Sequence, residues 1–166
     1  MKKKDQSQEC DQSKMLLFAK PGRFRICGSE SDELTQLQMV SLVADISAAG
    51  LTVSILTFNE SDERLSDRFE SYQREKNIER IFIKNCCLHE LNEIDTEIRK
   101  VKNATKCSVV IINHISDGML SNELVKRLDG VAKSCKLCIY FFAQLMWLRK
   151  YLDAKASRKA ESRRVK

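Results

Sequence analysis

An α/β fold with a mostly parallel sheet and helices on both faces is what these 166 residues predict. Three observations carry the prediction. From Arg23 onward, short apolar runs alternate with longer amphipathic stretches, which is the pattern of repeated β-α units. Two of the runs, Cys107 to Ile112 and Leu137 to Phe142, are almost continuously apolar, as strands covered on both faces should be. One proline and five glycines leave few breakers, and 43% hydrophobic content suffices for the core of one domain.

The elements follow in order. Residues 1–14 are Lys-, Gln- and Ser-rich and are expected to be a disordered polar leader. Arg23 to Cys27 alternates and stops at Gly28, a first strand. Leu34, Leu37, Val40, Val43 and Ile46 recur every three residues, with Met39 and Leu42 beside them, and predict an amphipathic helix. Ser31 or Asp32 would cap it and Gly50 would stop it. Val53 to Phe58 is the second strand, and Leu65, Phe69 and Tyr72 mark a short helix over Glu63 to Lys76. Ile78 to Ile83 is expected to be the third strand, followed by a helix from about Leu88 to Val101. Cys107 to Ile112 comes next, then a helix on Leu120, Leu124, Leu128 and Val131. After the strand Leu137 to Phe142, a last helix starts at Leu145 and becomes increasingly basic. The expected organisation is a core over residues 15–148 and a basic helical tail over residues 149–166, with no internal repeat.

Seven cysteines, several in strand-like context, fit reduced buried thiols better than disulfides. Cys135 and Cys138 have half the spacing of a zinc ribbon, but no second pair follows. Cys86 and Cys87 adjoin and suit joint ligation poorly. No metal site is therefore expected. His89 and His114 belong to no local nucleophile, base and acid set, so no catalytic residue is assigned. No stretch approaches the roughly 20 apolar residues of a membrane span, and the Lys-rich start lacks the apolar region of a signal peptide.

The most informative segment is the turn after the first strand. Gly28-Ser29-Glu30-Ser31-Asp32-Glu33-Leu34-Thr35 keeps the first Gly and the final Thr of the phosphate-binding pattern G-x-x-x-x-G-K-[ST]. Glu33 stands where the second Gly would let backbone approach phosphate, and Leu34 stands where the Lys would reach the terminal phosphates. Glu30, Asp32 and Glu33 would repel an anion. The plainer alternative is an ordinary βα turn. The strand Val109-Val110-Ile111-Ile112 ends in Asn113, where an acid would hold Mg²⁺ in a working nucleotidase. An amide brings no negative charge to a cation.

In order and spacing these elements resemble the ATPase core of the RecA-family recombinases and their paralogues. Gln36 follows Thr35 as a Gln does in that family. Thr57-Phe58-Asn59-Glu60 is similar to the strand end that bears the catalytic Glu, with Asn59 and Glu60 both open for that position. Phe141-Phe142-Ala143-Gln144 looks like the strand end with a sensing Gln, at Gln144. The resemblance covers roughly residues 15–148 and implies a truncated RecA-like P-loop ATPase core with degenerate motifs. It also implies no cofactor and no ATPase activity. Among such cores, it is similar to the non-catalytic small partners of recombinase-paralogue heterodimers. The implied partners are an ATP-binding recombinase paralogue, the strand-exchange recombinase filament and, through the complex, single-stranded DNA in the nucleus.

Charge supports a polyanion as one partner. The chain holds 29 basic and 23 acidic residues, a net +6. The tail from Arg149 to Lys166 has that same excess: Arg149, Lys150, Lys155, Arg158, Lys159, Arg163, Arg164 and Lys166 face only Asp153 and Glu161. These eight are candidate DNA-binding residues, with an import signal or a solubilising end as the alternatives. Phe18, Trp147 and Tyr151 are candidate interface anchors, large residues flanking the repeating elements. Two other functions stay open. One is a RecA-like structural subunit of another assembly, such as the tRNA-binding ring of Elongator. The other is a nucleotide- or flavin-binding enzyme of Rossmann-like or flavodoxin-like fold.

Overall fold

The computed structural model describes residues 19–28, 31–58, 67, 69, 80–87, 92–113, 121–143 and 145–164. Five strands form one sheet: β1 (Arg23–Cys27), β2 (Val53–Thr57), β3 (Ile81–Asn85), β4 (Val109–Asn113) and β5 (Cys138–Phe142). The helices described from end to end are α1 (Asp32–Ala48), α2 (Ile94–Thr105), α3 (Asn122–Cys135) and α4 (Leu145–Arg164). The spatial order is β1-β5-β4-β2-β3, and every pairing is parallel. The predicted α/β class with helices on both faces is what the chain adopts, and it is consistent with a RecA-like core.

This order separates the fold from two alternatives. Rossmann-like and flavodoxin-like sheets place their first strand inside the sheet, between two neighbours. Here β1 lies at an edge and pairs with β5 alone among the described residues.

Side-chain alternation builds two cores, one per face. On one face, Met39, Val40, Val43 and Ile46 of α1, with Phe69, cover Val53, Ile55, Val109, Ile111, Cys138, Tyr140 and Phe142. On the other, Ile94, Ile98 and Val101 of α2 and Leu124, Leu128 and Val131 of α3 cover Leu56, Val110, Ile112, Ile139 and Phe141. β2, β4 and β5 are buried throughout: β4 and β5 as their apolar runs require, and β2 with Ser54 and Thr57 buried among its apolar residues. The chain first moves across the sheet to β2 and β3, then reverses to β4 and β5. Right-handed crossovers in opposite directions put their helices on opposite faces, which explains the division.

Two elements differ from expectation in their boundaries. The third strand is Ile81–Asn85, shifted toward the carboxyl end, because its register is set by pairing with Val53–Thr57. The next helix begins at Ile94 after a short tighter turn at Asn92 and Glu93, and runs on to Thr105. Of the helix expected over residues 63–76, Asp67 and Phe69 are helical and the remainder lies outside the described residues.

The third-residue pattern of α1 also needs correction. Leu34 and Leu37 are 47% and 53% exposed, whereas Met39, Val40, Val43 and Ile46 are buried. A helix turns about 100° per residue, so a strict spacing of three drifts about 60° backward at each step. Leu37 therefore lies on the opposite side from Ile46. Ser31 caps the helix, its Oγ accepting from the Leu34 N–H at 3.2 Å. Gly50 closes it at φ 82 with two reverse bonds, Gly50 N–H to Ser47 O at 2.9 Å and Leu51 N–H to Ile46 O at 3.3 Å.

Candidate functional site at the carboxyl edge of the sheet

Parallel register aligns the last residues of all five strands. Cys27, Phe142, Asn113, Thr57 and Asn85 form one row across the sheet. In open α/β sheets this edge is where ligands and partners bind, at points where neighbouring strands send their connections to opposite faces. β4 and β2 are such a pair, since β2 leads back toward the α1 face and β4 leads into α3.

Gln36 and Asn113 meet here. Gln36, in the first turns of α1, donates from Nε2 to Oδ1 of Asn113 at 3.0 Å, joining positions 77 residues apart. Asn113 is fully buried and Gln36 is partly buried. The remaining halves of the two amides, Gln36 Oε1 and Asn113 Nδ2, are buried and have no partner among the described residues. Leaving a buried polar atom unpaired costs about 1–3 kcal/mol, so native proteins hold few of them. Sequence reading selected both residues separately but missed that they form one contact.

Of the segment compared with a phosphate loop, Gly28 follows β1, and Ser31 to Thr35 open α1 beside this contact. Glu33 faces solvent, and Leu34 projects outward where a lysine would reach phosphate. Thr35 is fully buried, and its hydroxyl donates to the Ser31 carbonyl at 2.9 Å, within its own helix. A terminal phosphate bound here would meet an apolar side chain and a carboxylate. A divalent cation at Asn113 would meet neutral amides in place of a carboxylate. The residues present do not fit a magnesium-bound nucleotide.

Leu37, expected on the apolar face of α1, lies instead beside Leu34 on its exposed flank. Phe82 is similar, 46% exposed on the edge strand β3. The signal for Leu37 was available, because its angular position on the helix is opposite Ile46 and about 120° from Val43.

The cysteines separate by face. Cys135 lies in the α2–α3 core and Cys138 in the α1 core, so the C-x-x-C pair straddles the sheet. Burial pushes the Cys27 and Cys138 thiols up, against the pull of Arg25, and pushes Tyr140 up to about 12. Such thiols are poor nucleophiles at neutral pH. No group of three or more potential metal ligands occurs among the described residues, nor does any described helix have the length and apolarity to cross a membrane.

Several predicted positions fall outside the described residues: Phe18, Asn59, Glu60, His89, His114, Gln144 and Lys166. Trp147, Lys150, Tyr151 and Arg164 belong to α4, with side chains outside the described set. The other candidate DNA-binding residues, Arg149, Lys155, Arg158, Lys159 and Arg163, are all exposed on α4.

Neither the protein-family models nor the curated proteins yield a match to this chain.

Proposed function

We propose that the chain is a non-catalytic partner subunit of a recombinase-paralogue complex, one that binds and remodels recombinase filaments on single-stranded DNA during homologous-recombination repair in the nucleus. In this reading it resembles the small subunit of the nematode recombinase-paralogue pair. One observation carries the reading: at the nucleotide end of a RecA-like arrangement, the place of the metal-holding acid is taken by an amide bonded to Gln36. Leu34, at the lysine position, faces outward beside Leu37. That end has lost its fit to ATP and metal while gaining an apolar surface suited to a protein.

The mechanism follows from head-to-tail assembly. RecA-like cores stack with nucleotide between neighbours, so a core without nucleotide still offers one face to an ATP-binding paralogue. A heterologous contact that does not propagate terminates a filament instead of extending it. Leu34 and Leu37 then act as anchors, and the buried amide pair holds the first turns of α1 against β4 so that the anchors keep their position.

The test is purification of the tagged full chain from nuclear extract, with nuclease, followed by identification of co-purifying proteins. Recovery of an ATP-binding recombinase paralogue is the expected result. Elongator-type subunits in its place, or a chain recovered alone, would overturn the proposal. Leu34→Asp combined with Leu37→Asp should release the paralogue while leaving the melting temperature of the chain unchanged.

A further inference from the structure

Helix α4 differs from the other helices in that none of its described side chains is buried. Arg149 and every residue from 152 to 163 are exposed. The helix is about 30 Å long, and its stretch from Asp153 to Arg164 holds no large apolar residue; a helical segment that is polar all round needs either a partner or an unusual set of internal pairs. Among the described residues, none of its cations is in an ion pair. Ser157 and Ser162 spend their hydroxyls on the helix's own carbonyls, at Asp153 and Lys159.

The charges are sorted around the axis. At about 100° per residue, Lys155, Lys159, Arg163 and Arg149 fall within an arc of about 120°, with Leu152 at its centre and Ala156 inside it. Glu161 lies directly opposite Leu152, and Asp153 lies outside the arc. Arg158, though adjacent in sequence to Lys159, also points away from the arc. Lys155, Lys159 and Arg163 are four residues apart, so they form a row with a spacing of about 6 Å along the axis.

We infer that α4 binds the phosphate backbone of single-stranded nucleic acid along this one face, through Arg149, Lys155, Lys159 and Arg163. Charge complementarity selects the occupant. A row of cations with the carboxylates excluded matches a linear polyanion, and it neutralises successive phosphates without reading bases. An anionic membrane surface would attract the same cations, but a helix lying in a bilayer interface also needs a broad apolar face. Along the row of Lys155, Lys159 and Arg163, the sequence from Asp153 to Arg164 supplies no large apolar residue for such a face. The choice of a single strand as the natural ligand rests on the proposed function; the choice of face does not.

The experiment measures binding of a fluorescein-labelled oligothymidylate to the full chain, or to its complex with the captured partner, by anisotropy across a sodium chloride series. Lys159→Ala should weaken binding about threefold or more, while its neighbour Arg158→Ala should stay within twofold. The combined Lys155→Ala, Lys159→Ala and Arg163→Ala variant should lose at least tenfold, and its log–log salt slope should flatten by about 2. Far-ultraviolet circular dichroism verifies that each variant keeps its helix. Equal losses for Arg158→Ala and Lys159→Ala, or an unchanged triple variant, would overturn the inference. So would stripe-dependent binding to phosphatidylserine vesicles with none to the oligonucleotide. Stripe-dependent oligonucleotide binding by a chain that captures no recombinase paralogue would uphold the face and sink the proposed function instead.

Discussion

Helices α1 and α3 are built to one plan and used in two ways. Each begins at a serine whose hydroxyl accepts from the N–H three residues on, Ser31 for Leu34 and Ser121 for Leu124. Each ends in paired reverse bonds, and each packs on one face of the same sheet. Yet α3 buries both leucines of its first two turns, Leu124 at 5% and Leu128 at 0% exposure, whereas α1 exposes Leu34 and Leu37. The difference separates two reasons for placing an apolar residue on a helix. In α3 the leucines serve the core. In α1 the core is served from Met39 onward, and the first two leucines stay exposed, on the surface that the proposed function gives to a partner.

The largest expected effect tests that separation directly. Leu128→Ala should destabilise the fold by about 3–4 kcal/mol, because it leaves a cavity under a helix that cannot collapse onto the sheet. Leu37→Ala should change stability by less than about 0.5 kcal/mol, as exposed substitutions do. Urea denaturation of the two variants decides the matter. Comparable losses would mean that the exposed flank of α1 is packed after all, and the partner surface would have to be sought elsewhere.

A second change probes the carboxyl edge, where α1 meets β4. Asn113→Asp restores the residue type that a magnesium site would use, but places it in a fully buried position beside an amide. Burial favours the neutral acid, so the folded-state pKa should lie above the unfolded value of about 3.9. The variant should therefore match the parent near pH 3–4 and lose about 2–3 kcal/mol by pH 7, where the unfolded chain is ionised. Denaturation midpoints at pH 4 and pH 7 test this. A variant as stable as the parent at both values would mean that the edge accommodates charge and is not closed to cations.

How much of this was legible beforehand depends on the range of the interaction. A cap at Ser31 or Asp32, the buried runs of β4 and β5 and the face of α3 were all readable, because each rests on neighbours within a few residues. The order β1-β5-β4-β2-β3 was not, since nothing local to Arg23–Cys27 says that it pairs with Cys138–Phe142. The Gln36–Asn113 bond is of the same kind. Both residues stood out by position in a resemblance, but their union depends on strand register. The exposed leucines were misjudged for a different reason: a spacing of three resembles helical periodicity over two turns and departs from it over four.

The α2–α3 face also holds a charged clamp, with no counterpart among the described residues of the α1 face. Glu97 is 2% exposed and accepts from Lys100 at 2.7 Å and from Lys84 on β3. The bonds from Lys100 and then Lys84 outweigh burial and hold its carboxyl below the ordinary range. A depressed folded-state pKa stabilises the native form above the unfolded carboxylate value, and that stability is lost as pH falls through the lowered one. Glu97→Gln should cost about 1–2 kcal/mol at pH 7, less than a fully buried pair because both lysines are partly in water. Its deficit should shrink below about pH 4, where the parent carboxylate is itself protonating. A deficit independent of pH would assign the loss to packing.

The smallest effect sharpens the comparison at the other ends of the two helices. Gly50 follows α1 at φ 82, while Lys136 follows α3 at φ 52 and makes the equivalent bonds, its own N–H to Lys133 O at 3.3 Å and Leu137 N–H to Ala132 O at 2.9 Å. Glycine takes this left-handed geometry without strain, whereas a side chain there crowds the following carbonyl at a cost of about 1–2 kcal/mol. Part of that difference is offset because glycine also gains freedom in the unfolded chain. Lys136→Gly should therefore stabilise the protein by about 0.5–1 kcal/mol, seen as a raised urea midpoint with an unchanged slope. The reciprocal Gly50→Lys should destabilise by a similar amount, since open space around Gly50 leaves backbone conformation as the only penalty. If both substitutions were neutral, the two termini would differ in more than their residue. The common plan of α1 and α3 would then extend only to their caps at the amino end.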